Sequence, residues 1–249
     1  MGLTIHYTLR APPDAGAMQA RKFVTRLRQR ALDFKRRNRV ETVGALSDDA
    51  KALRWAEEWL FFPVPLHPGR QHQVCVKPEA GFLFPVKVGE DCERLWLGLC
   101  RYPLTVRVEG KLWRTKLNGW RLKSFCKTQY ASLHGWPHFR RCHTSVTDLV
   151  AGALRLGLEV EINDEGDYWP ARDLKALKRN VDEMNGIVAA AAGALKDMDE
   201  EINGRSAIES PIFRHVQFER LEAEGAARVG KLANGCAARS RRRGDDLSA

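Results

Sequence analysis

The segment LTIHYTLR, residues 3–10, decides how the fold begins. Four apolar residues alternate in it with four polar ones, and a period of two indicates a strand that buries one of its faces. The apolar set is Leu3, Ile5, Tyr7 and Leu9. We therefore expect His6 and Thr8 on the polar face of this strand, which leaves open whether His6 is a working residue or only a solvent-facing one.

The residues that follow this strand alternate between helical and extended patterns. A helix is predicted over about 16–35, behind the break at APPDAG, because apolar side chains recur there at helical spacing. Residues 40–44 are predicted as the next strand, which would complete a β-α-β opening. Ser47 is the expected N-cap of a second helix that runs to Leu60.

The centre of the chain is rich in strand patterns. HQVCV and GFLFPVKV suit a hairpin, and Pro85 favours a place near the sheet edge for its second strand. A turn at Glu109-Gly110 joins LTVRV to KLWRT, and another turn at Asn118-Gly119 precedes WRLKSF. The centre is therefore predicted to consist of short strands joined by tight turns.

The last third of the chain is predicted to be mainly helical. One helix begins at Pro137 and ends at Gly157, and the short strand LEVEI follows it. NDEGDYWP is a predicted loop that leads into a long helix over about 171–198. Helical patterns thus flank the strand-rich centre on both sides.

These patterns predict an α+β protein with a β-rich centre and a helical C-terminal part. A ferredoxin-like sandwich, with one or two β-α-β units, is the expected architecture. We expect a single α+β domain over residues 1–198 and a peripheral helical extension over 199–232. Residues 233–249 are predicted to form a disordered basic tail, because they offer almost nothing to bury.

The composition of the 249 residues is that of an ordinary globular protein. Hydrophobic residues make up 44% and charged residues 29%, and no apolar run is long enough to cross a bilayer. No secretory signal and no C-x-x-C pair is visible, so a cytoplasmic location without a membrane partner, and with reduced cysteines, is expected. The 41 basic residues exceed the 31 acidic ones, and the resulting net charge of +10 favours polyanionic partners.

Cationic residues concentrate in two stretches. Nine Lys or Arg residues face a single acid between Arg21 and Arg39, and eight face a single acid between Arg101 and Lys127, where aromatic residues are interleaved. Cations can neutralise phosphates and exposed rings can stack bases, so a nucleic acid is the expected partner. The alternative interpretation is a solvated positive surface with buried aromatic side chains. The residues expected to contact nucleic acid are Lys22, Arg26, Arg30, Arg36, Arg37, Arg114, Lys116, Arg121, Lys123, Trp113 and Trp120.

Two groups of residues could bind a divalent metal, although the sequence requires no cofactor. Asp164, Glu165 and Asp167 could hold Mg²⁺, as in a metal-dependent nuclease; the alternative is a turn at Gly166 before a helix. The stretch CKTQYASLHGWPHFRRCH carries Cys and His residues of the kind that bind zinc. Its spacing fits no closed four-ligand pattern, however, and Cys142 also fits the apolar stripe of a helix.

The TIHYTL strand resembles one half of the signature of the 2H phosphoesterases, in which two His-x-Ser/Thr strands face each other across a cleft. HTSV, with His143 and Ser145, would supply the second half, although Thr144 stands where an apolar residue is wanted and the stretch lies in a predicted helix. The resemblance implies that His6 and His143 act as base and acid, since paired imidazoles can move protons near neutral pH.

Five stretches together, MGLTIHY, LGLCRYP, SFCKTQYAS, RCHTSV and NDEGDYWPARD, resemble a family of uncharacterised bacterial proteins. The resemblance covers roughly the first four-fifths of the chain. It implies a bacterial cytoplasmic setting and no mechanism. It favours as site residues His6, Lys127, Tyr130, His143, Asp164 and Glu165. The candidate catalytic residues are therefore His6, His143, Lys127 and Tyr130.

Three functional hypotheses follow. The first is a nucleic-acid-associated cytoplasmic protein that binds phosphate backbones through basic and aromatic surfaces. The second is a phosphoesterase or nuclease that uses His6 and His143, or a metal held by Asp164 and Glu165. The third is a protein–protein module of a bacterial assembly, which would present an exposed apolar patch.

Overall fold

A computed structural model describes residues 3–63, 69–203 and 205–227 of the chain. Within these ranges, helices surround one six-stranded sheet in which each strand is antiparallel to its neighbours. Two separate two-stranded hairpins lie outside this sheet. The predicted combination of α and β structure is therefore confirmed.

The strands of the described residues are numbered in chain order. They are β1 (Thr4–Arg10), β2 (Thr42–Val43), β3 (Glu58–Pro63), β4 (Gln71–Val76), β5 (Ala80–Lys87), β6 (Leu95–Arg101), β7 (Thr105–Val108), β8 (Lys111–Arg114), β9 (Trp120–Lys127) and β10 (Glu159–Asp164). The sheet order is β10-β1-β9-β6-β5-β2, and the hairpins are β3–β4 and β7–β8. The first strand therefore pairs with two strands from much later in the chain.

Four α-helices are bounded within the described residues. They are α1 (Ala17–Arg36), α2 (Ala50–Leu53), α3 (Trp136–Ala151) and α4 (Leu174–Asn203). Short 3₁₀ turns lie at Arg54–Ala56, Gln129–His134, Gly152–Leu156 and Pro211–Arg214. Residues 218–227 are also helical.

Helices α1 and α3 pack on one side of the sheet, the helix face. Helix α1 contacts β5 and β6, and α3 contacts β1 and β10. Ile5 and Leu9 of β1 point to this side and are fully buried. The buried stripe of α1 consists of Ala20, Phe23, Val24, Leu27, Ala31 and Phe34. Removing such side chains from water stabilises a fold by about 25 cal/mol per Å² of apolar surface, so this layer forms the main core.

The opposite side of the sheet, the open face, is only partly covered. Alternation along β1 turns His6 toward this side, where it is the register neighbour of Phe125 in β9 and of Asn163 in β10. Trp55, which follows α2, covers another part of the open face by stacking on Trp96 of β6, with 5.3 Å between the ring centroids. Polar side chains of β1, β9 and β10 consequently stay within reach of a ligand.

Strand pairing in the centre differs from the prediction. The second helix, expected from Ser47 to Leu60, is capped by Asp49 and ends its α-helical part at Leu53, and residues 58–63 form β3 instead. Strand β3 pairs with β4 while β5 pairs with β6, so the hairpin predicted from HQVCV and GFLFPVKV is wrong. The segment EWLFFP explains the difference, because bulky aromatic side chains favour a pleated strand over a helix.

Strand β2 is short and lies at the edge of the sheet. It was expected over 40–44 but has two residues, and it pairs with β5, where the Gly44 backbone N–H donates to the Pro85 carbonyl at 2.8 Å. Pro85 was predicted to push its strand towards an edge, but β5 lies one strand in from the edge, between β6 and β2. The β-α-β opening does not join neighbouring strands, because β9, β6 and β5 lie between β1 and β2.

Elements with strong local signals agree with their predictions. Helix α3 begins beside Pro137, and its 3₁₀ continuation ends at Gly157, where φ is 89°. Such a left-handed residue is a common end of a helix, and glycine adopts it at little cost. The β7–β8 turn has φ values of 48° at Glu109 and 79° at Gly110, as a tight hairpin requires.

The end of α4 carries a small second core. It consists of Ala189, Ala192, Ile212 and Leu221. No helix in the described ranges combines the length and hydropathy that crossing a bilayer demands. The predicted disordered tail over 233–249 lies outside the described residues, and the domain boundaries at 198 and 232 stay predictions.

Candidate functional site

The outer surface of α1 carries cations without carboxylate partners. Lys22 and Arg26 are exposed and form no ion pair with any described residue. Lys22, Arg26 and Arg30 are four residues apart, which places them on one line along the helix, here called the α1 ridge. The one acid of this helix, Asp33, is engaged by Arg36. The α1 ridge is therefore a positive surface that is not neutralised locally.

At the C-terminal end of the α1 ridge, five arginines line one concavity of about 690 Å³, here called the arginine pocket. They are Arg30, Arg37, Arg39, Arg155 and Arg172. They come from α1 and its end, from the 3₁₀ turn after α3, and from the loop before α4. The same pocket is lined by two carboxylates, Asp33 and Asp148, so five cations against two anions leave an excess of three positive charges.

The two carboxylates do not reach all five arginines. Asp148 accepts from Arg39 at 2.9 Å through one oxygen and from Arg172 at 2.7 Å through the other. Asp33 is engaged by Arg36, which does not line the pocket. In the part of the chain that the structure describes, the remaining three arginines have no carboxylate partner. These are Arg30, Arg37 and Arg155.

Arg30 is the most constrained of these three side chains. Its Nε atom is buried and has no hydrogen-bond acceptor among the described residues, and its guanidinium lies 5.4 Å from the centre of the Phe34 ring. Burial and the charge of Arg155 lower the pKa of Arg30, and Arg39 adds to this effect. The pocket therefore holds positive charge at an electrostatic cost that an anion would remove.

A second concavity, the open-face pocket, has a volume of about 420 Å³ and lies on β1, β9 and β10. His6 and Phe125 line its floor, with 6.0 Å between their ring centroids, and Lys123 lies beside them. Trp55 and Trp59 line its wall and are 52% and 57% exposed. This pocket joins planar rings to titratable groups, as ligand sites often do.

His6 has a carboxylate partner at the edge of the open-face pocket. Its Nε2 lies 3.6 Å from Glu165 Oε1, and both side chains are half exposed. The other oxygen of Glu165 accepts from the Thr4 backbone N–H at 2.8 Å, which fixes the carboxylate in place. The separation of His6 and Glu165 is longer than a hydrogen bond, so the carboxylate lies beside the imidazole without fixing its orientation.

Glu58 is a buried carboxylate of the same pocket. Its Oε1 atom has no hydrogen-bond partner among the described residues. Burial raises the pKa of Glu58, and the nearby charges of Arg121 and Lys123 oppose this effect. A carboxyl group with a raised pKa is a candidate proton donor in a ligand pocket.

His143 lies on the other side of the sheet from His6. Its ring is fully buried, with Nδ1 2.8 Å from Thr128 Oγ1 and Nε2 3.0 Å from Asp164 Oδ1, the latter without the alignment of a hydrogen bond. Asp164 is the register partner of Ile5, whose side chain points opposite to that of His6. The two imidazoles therefore cannot act on the same phosphate, as the 2H resemblance requires.

Asp164 organises the loop that follows β10. It accepts from the backbone N–H groups of Gly166, Tyr168 and Trp169 at 2.8, 3.1 and 3.0 Å. Burial alone would raise the pKa of Asp164, but His143 and these N–H groups outweigh it and hold the pKa below its usual value. The role of Asp164 is therefore to fix the loop, which is the alternative that the sequence left open.

The three acids proposed for a metal do not converge. Glu165 points to His6 on the open face, Asp164 is buried on the helix face, and Asp167 accepts from Asn180 at 2.9 Å. Within the described ranges, no three His, Cys, Asp or Glu side chains are grouped so that they could hold a metal ion. The same finding covers the residues considered for zinc. Cys142 is fully buried, in agreement with its alternative interpretation as a core residue.

Lys127 and Tyr130 contact each other at the end of β9, and Thr128 between them lies 2.8 Å from His143 Nδ1. Lys127 is the register partner of Thr4, two residues before His6, and alternation places all three on the same side of the sheet. The Lys127 Nζ lies 4.7 Å from the centre of the Tyr130 ring. The four catalytic candidates are thus not brought together: Lys127 shares the open face with His6 but does not line its pocket, and His143 lies on the other side of the sheet.

The predicted nucleic-acid-binding residues do not form one surface. Arg121 and Lys123 of β9 lie on the open face, on the other side of the sheet from α1, while Arg114 and Lys116 are exposed at the end of β8 and beyond it. Trp120 is only 4% exposed and stacks on a neighbouring ring. The expected cations are therefore divided among the helix face, the open face and the β7–β8 hairpin.

Trp113 is the other tryptophan expected to stack bases. It is partly buried and packs against Phe62, with 5.6 Å between the ring centroids. Lys111 covers its ring at 4.7 Å. Neither Trp113 nor Trp120 consequently offers a free face, which agrees with the alternative of buried aromatic side chains.

Sequence reasoning missed three arginines of the pocket. Arg39 lies in the KRRNR run that the prediction used, but Arg155 and Arg172 are isolated cations with no local pattern. Phe125 was among the aromatic residues interleaved with the cations of residues 101–127, but it was left out of the expected contact residues, although its alternation with Lys123 and Lys127 indicates an accessible ring between two cations. The signal for the arginine pocket is absent from the local sequence, because it depends on how α1 and α3 pack.

None of the family models, curated proteins or solved structures compared with this chain matches it. The resemblance to a bacterial family therefore stays a prediction, whereas the 2H arrangement does not agree with the positions of His6 and His143 on opposite sides of the sheet. The proposals below rest on geometry and charge.

Proposed function

We propose that this protein binds the phosphate backbone of a single-stranded nucleic acid through the α1 ridge and the arginine pocket. The observation that carries the proposal is the unneutralised charge of this surface. Lys22 and Arg26 have no carboxylate partner among the described residues, and the adjoining pocket has an excess of three positive charges. A chain of phosphates is the ligand that fits a line of cations of this length.

The spacing of the α1 ridge supports this proposal. Residues four apart on a helix are separated by about 6 Å along its axis. That distance is comparable to the separation of neighbouring phosphates in an extended strand, so successive phosphates can contact Lys22, Arg26 and Arg30 in turn. Arginine adds a planar fork of donors that matches phosphate oxygens, which favours arginine-rich surfaces for this ligand.

The salt dependence of binding tests the proposal. The affinity of the full-length protein for a fluorescent single-stranded oligonucleotide should fall steeply with salt, by a slope of about 0.7 per neutralised phosphate. The double change Lys22→Ala and Arg26→Ala should lower this slope by about one to two and weaken binding to all sequences alike. The double change Lys51→Ala and Lys77→Ala, at exposed residues outside α1, is the charge-matched control. Affinity that does not respond to salt, or a double variant that binds like the wild type, would contradict the proposal.

The predicted ferredoxin-like architecture also stays a proposal. It draws support from the chain order β1-α1-β6-β9-α3-β10, in which these four strands lie side by side as β10-β1-β9-β6 with both helices on one face. Strands β5 and β2 would then extend the sheet beyond the sandwich. In such an arrangement the arginine pocket forms where α1 and α3 end, on the helical layer.

Hydrolysis of a phosphodiester in the open-face pocket is a second candidate function. The pairing of His6 with Glu165, beside Lys123, favours it. His6 would act as the base for an attacking water, and Lys123 would stabilise the charge that develops on the phosphate. His6→Asn should abolish the cleavage of a fluorescent oligonucleotide without loss of folded structure. Equal cleavage by the variant and the wild type would exclude His6.

The third hypothesis, a protein-binding module, draws on exposed aromatic side chains of β3. Trp59 is 57% exposed and Phe61 is 59% exposed. Their presence in a short hairpin outside the sheet is consistent with a docking surface.

A further inference from the structure

We infer that the arginine pocket holds the terminal phosphate of a nucleic-acid strand, that is, a phosphate monoester rather than an internal phosphodiester. This inference rests on the proposed function and names the group that the deepest part of the site selects. The α1 ridge would contact the internal phosphates, and the strand would end in the pocket.

The charge of the pocket favours a monoester. An internal phosphodiester carries one negative charge, whereas a terminal phosphate carries about 1.5 to 2 negative charges near pH 7 and has three strong acceptor oxygens. The pocket has five arginines and two aspartates, an excess of three positive charges. A monoester compensates more of this excess than a single backbone phosphate does.

The directions from which the free arginines approach also favour a terminal group. Arg30 belongs to α1, Arg37 is its C-cap residue, and Arg155 belongs to the 3₁₀ turn beyond α3, so the free guanidinium groups line the pocket from two parts of the fold. An internal phosphate has two of its four oxygens esterified and must leave both chain ends a path out, whereas a terminal phosphate needs one.

Two features of the fold keep the arginine pocket open: the ion pairs of Asp148 and the absence of a side chain at Gly152. Asp148 uses both of its oxygens to fix Arg39 and Arg172, which line one side. On the other side, the bare backbone of Gly152 makes room for Arg30, since a Cβ at position 152 would lie 2.1 Å from its Nε. A site whose donors are fixed before binding loses less entropy when the ligand arrives.

The ring of Trp169 favours a nucleotide over a simple phosphate ion as the ligand of the arginine pocket. It lines the arginine pocket, is partly exposed, and has the Arg172 guanidinium 5.7 Å from the centre of its ring. A ring at the rim of a phosphate site is a stacking surface for a base. The first base after the terminal phosphate could occupy that position.

Oligonucleotides of one sequence that differ only at their ends test the inference. The full-length protein is titrated by fluorescence anisotropy with strands that carry a 5′-phosphate, a 3′-phosphate or hydroxyl groups at both ends. We expect one phosphorylated strand to bind at least about tenfold more tightly than the hydroxyl strand, since hydrogen bonds to charged groups contribute about 1.5–3 kcal/mol. Arg155→Ala and, separately, Arg37→Ala should bring this ratio to about one.

Lys22→Ala is the matched control, because it removes the same charge from the α1 ridge. It should weaken binding of all three strands by a similar factor and leave the ratio unchanged. Equal affinity for the three strands, with binding still dependent on Lys22 and Arg26, would overturn the inference and leave the proposed function standing.

A small phosphate compound could provide the same phosphate group as the end of a strand. Titration of inorganic pyrophosphate by calorimetry distinguishes these two ligands. Competition between pyrophosphate and the phosphorylated strand, with the hydroxyl strand still bound, supports the inference. Binding of pyrophosphate with no binding of any strand would overturn both the inference and the proposed function, since the pocket would then serve a small phosphate compound.

Discussion

Arg30 packs against the bare backbone of Gly152 so closely that a Cβ at position 152 would lie 2.1 Å from the Arg30 Nε atom. No real Cβ tolerates such a contact, and the obstructing atoms belong to the guanidinium end of a long side chain. The conformation of Gly152 itself is helical, with φ of −63°, so alanine would cause no backbone strain there. The glycine is therefore needed for the space it leaves to Arg30.

This relationship predicts the effect of Gly152→Ala. The new methyl group should displace the guanidinium end of Arg30 and cost no more than about 1 kcal/mol of the free energy of unfolding, because the atoms that must move are the far end of a flexible side chain. In the Arg30→Ala background the same change should cost little, because the clash is gone. Urea unfolding of the two single variants and the double variant measures this coupling. Additive effects in this cycle would mean that the two residues do not constrain each other.

Asp148 is predicted to hold the arginine pocket together. Asp148→Asn removes the charge that Arg39 and Arg172 share, and should lower the free energy of unfolding by about 1–2 kcal/mol, because hydrogen bonds between charged groups are lost. Added inorganic phosphate should stabilise the variant more than the wild type, since an anion can replace the missing carboxylate.

Thermal unfolding with and without phosphate measures this difference. Asp182→Asn is the control, because Asp182 pairs with Lys178 on the exposed surface of α4, where an ion pair contributes about 0.5 kcal/mol or less. An Asp148→Asn variant with the stability and phosphate response of this control would show that the pocket does not depend on Asp148.

The depressed pKa of Asp164 predicts how the stability of the fold depends on pH. This pKa is depressed in the folded protein, so the unfolded chain binds the proton more readily at low pH. The stabilisation by Asp164 is therefore present above its ordinary unfolded pKa of about 3.9 and is lost as the pH falls through the lower folded value. Asp164→Asn should cost about 3 kcal/mol near neutral pH and weaken the loss of stability in acid.

Urea unfolding at a series of pH values below and above 4 checks both parts of this prediction. Asp167→Asn serves as the control, since Asp167 is exposed on the same loop and contacts Asn180. If both variants lost stability equally and kept the same dependence on pH, the buried network of Asp164 and His143 would not be the source of the effect.

Local periodicity predicted much of the fold and little of the strand pairing. Helix α1, the β7–β8 turn and the helix that ends at Gly157 follow from patterns within about twenty residues. The pairing of β3 with β4, and the place of β1 between β9 and β10, depend on contacts between distant segments. Alternation along a strand shows which side chains are buried, but it does not identify the neighbouring strand.

In the candidate site, too, local sequence patterns predicted some residues, while others depend on contacts between distant segments. Lys22, Arg26 and Arg30 could be found from their helical spacing alone. Arg155 and Arg172 could not, because each is brought to Arg30 only when α3 and the loop before α4 pack against α1. The opposite error concerned His6 and His143, which the 2H resemblance paired, although HTSV departs from the motif and the sheet separates the two imidazoles.

The two aromatic residues of β9 should respond to substitution in opposite ways. Trp120 is 4% exposed and stacks on Phe82 with 5.6 Å between the ring centroids, so Trp120→Ala should cost about 3–5 kcal/mol of the free energy of unfolding. Phe125 is 54% exposed on the open face, and Phe125→Ala should change stability by less than about 1 kcal/mol. Urea unfolding of both variants, followed by oligonucleotide binding, separates a core role from a contact role. A Trp120→Ala variant that kept its stability but lost binding would restore the original prediction that this ring stacks on bases.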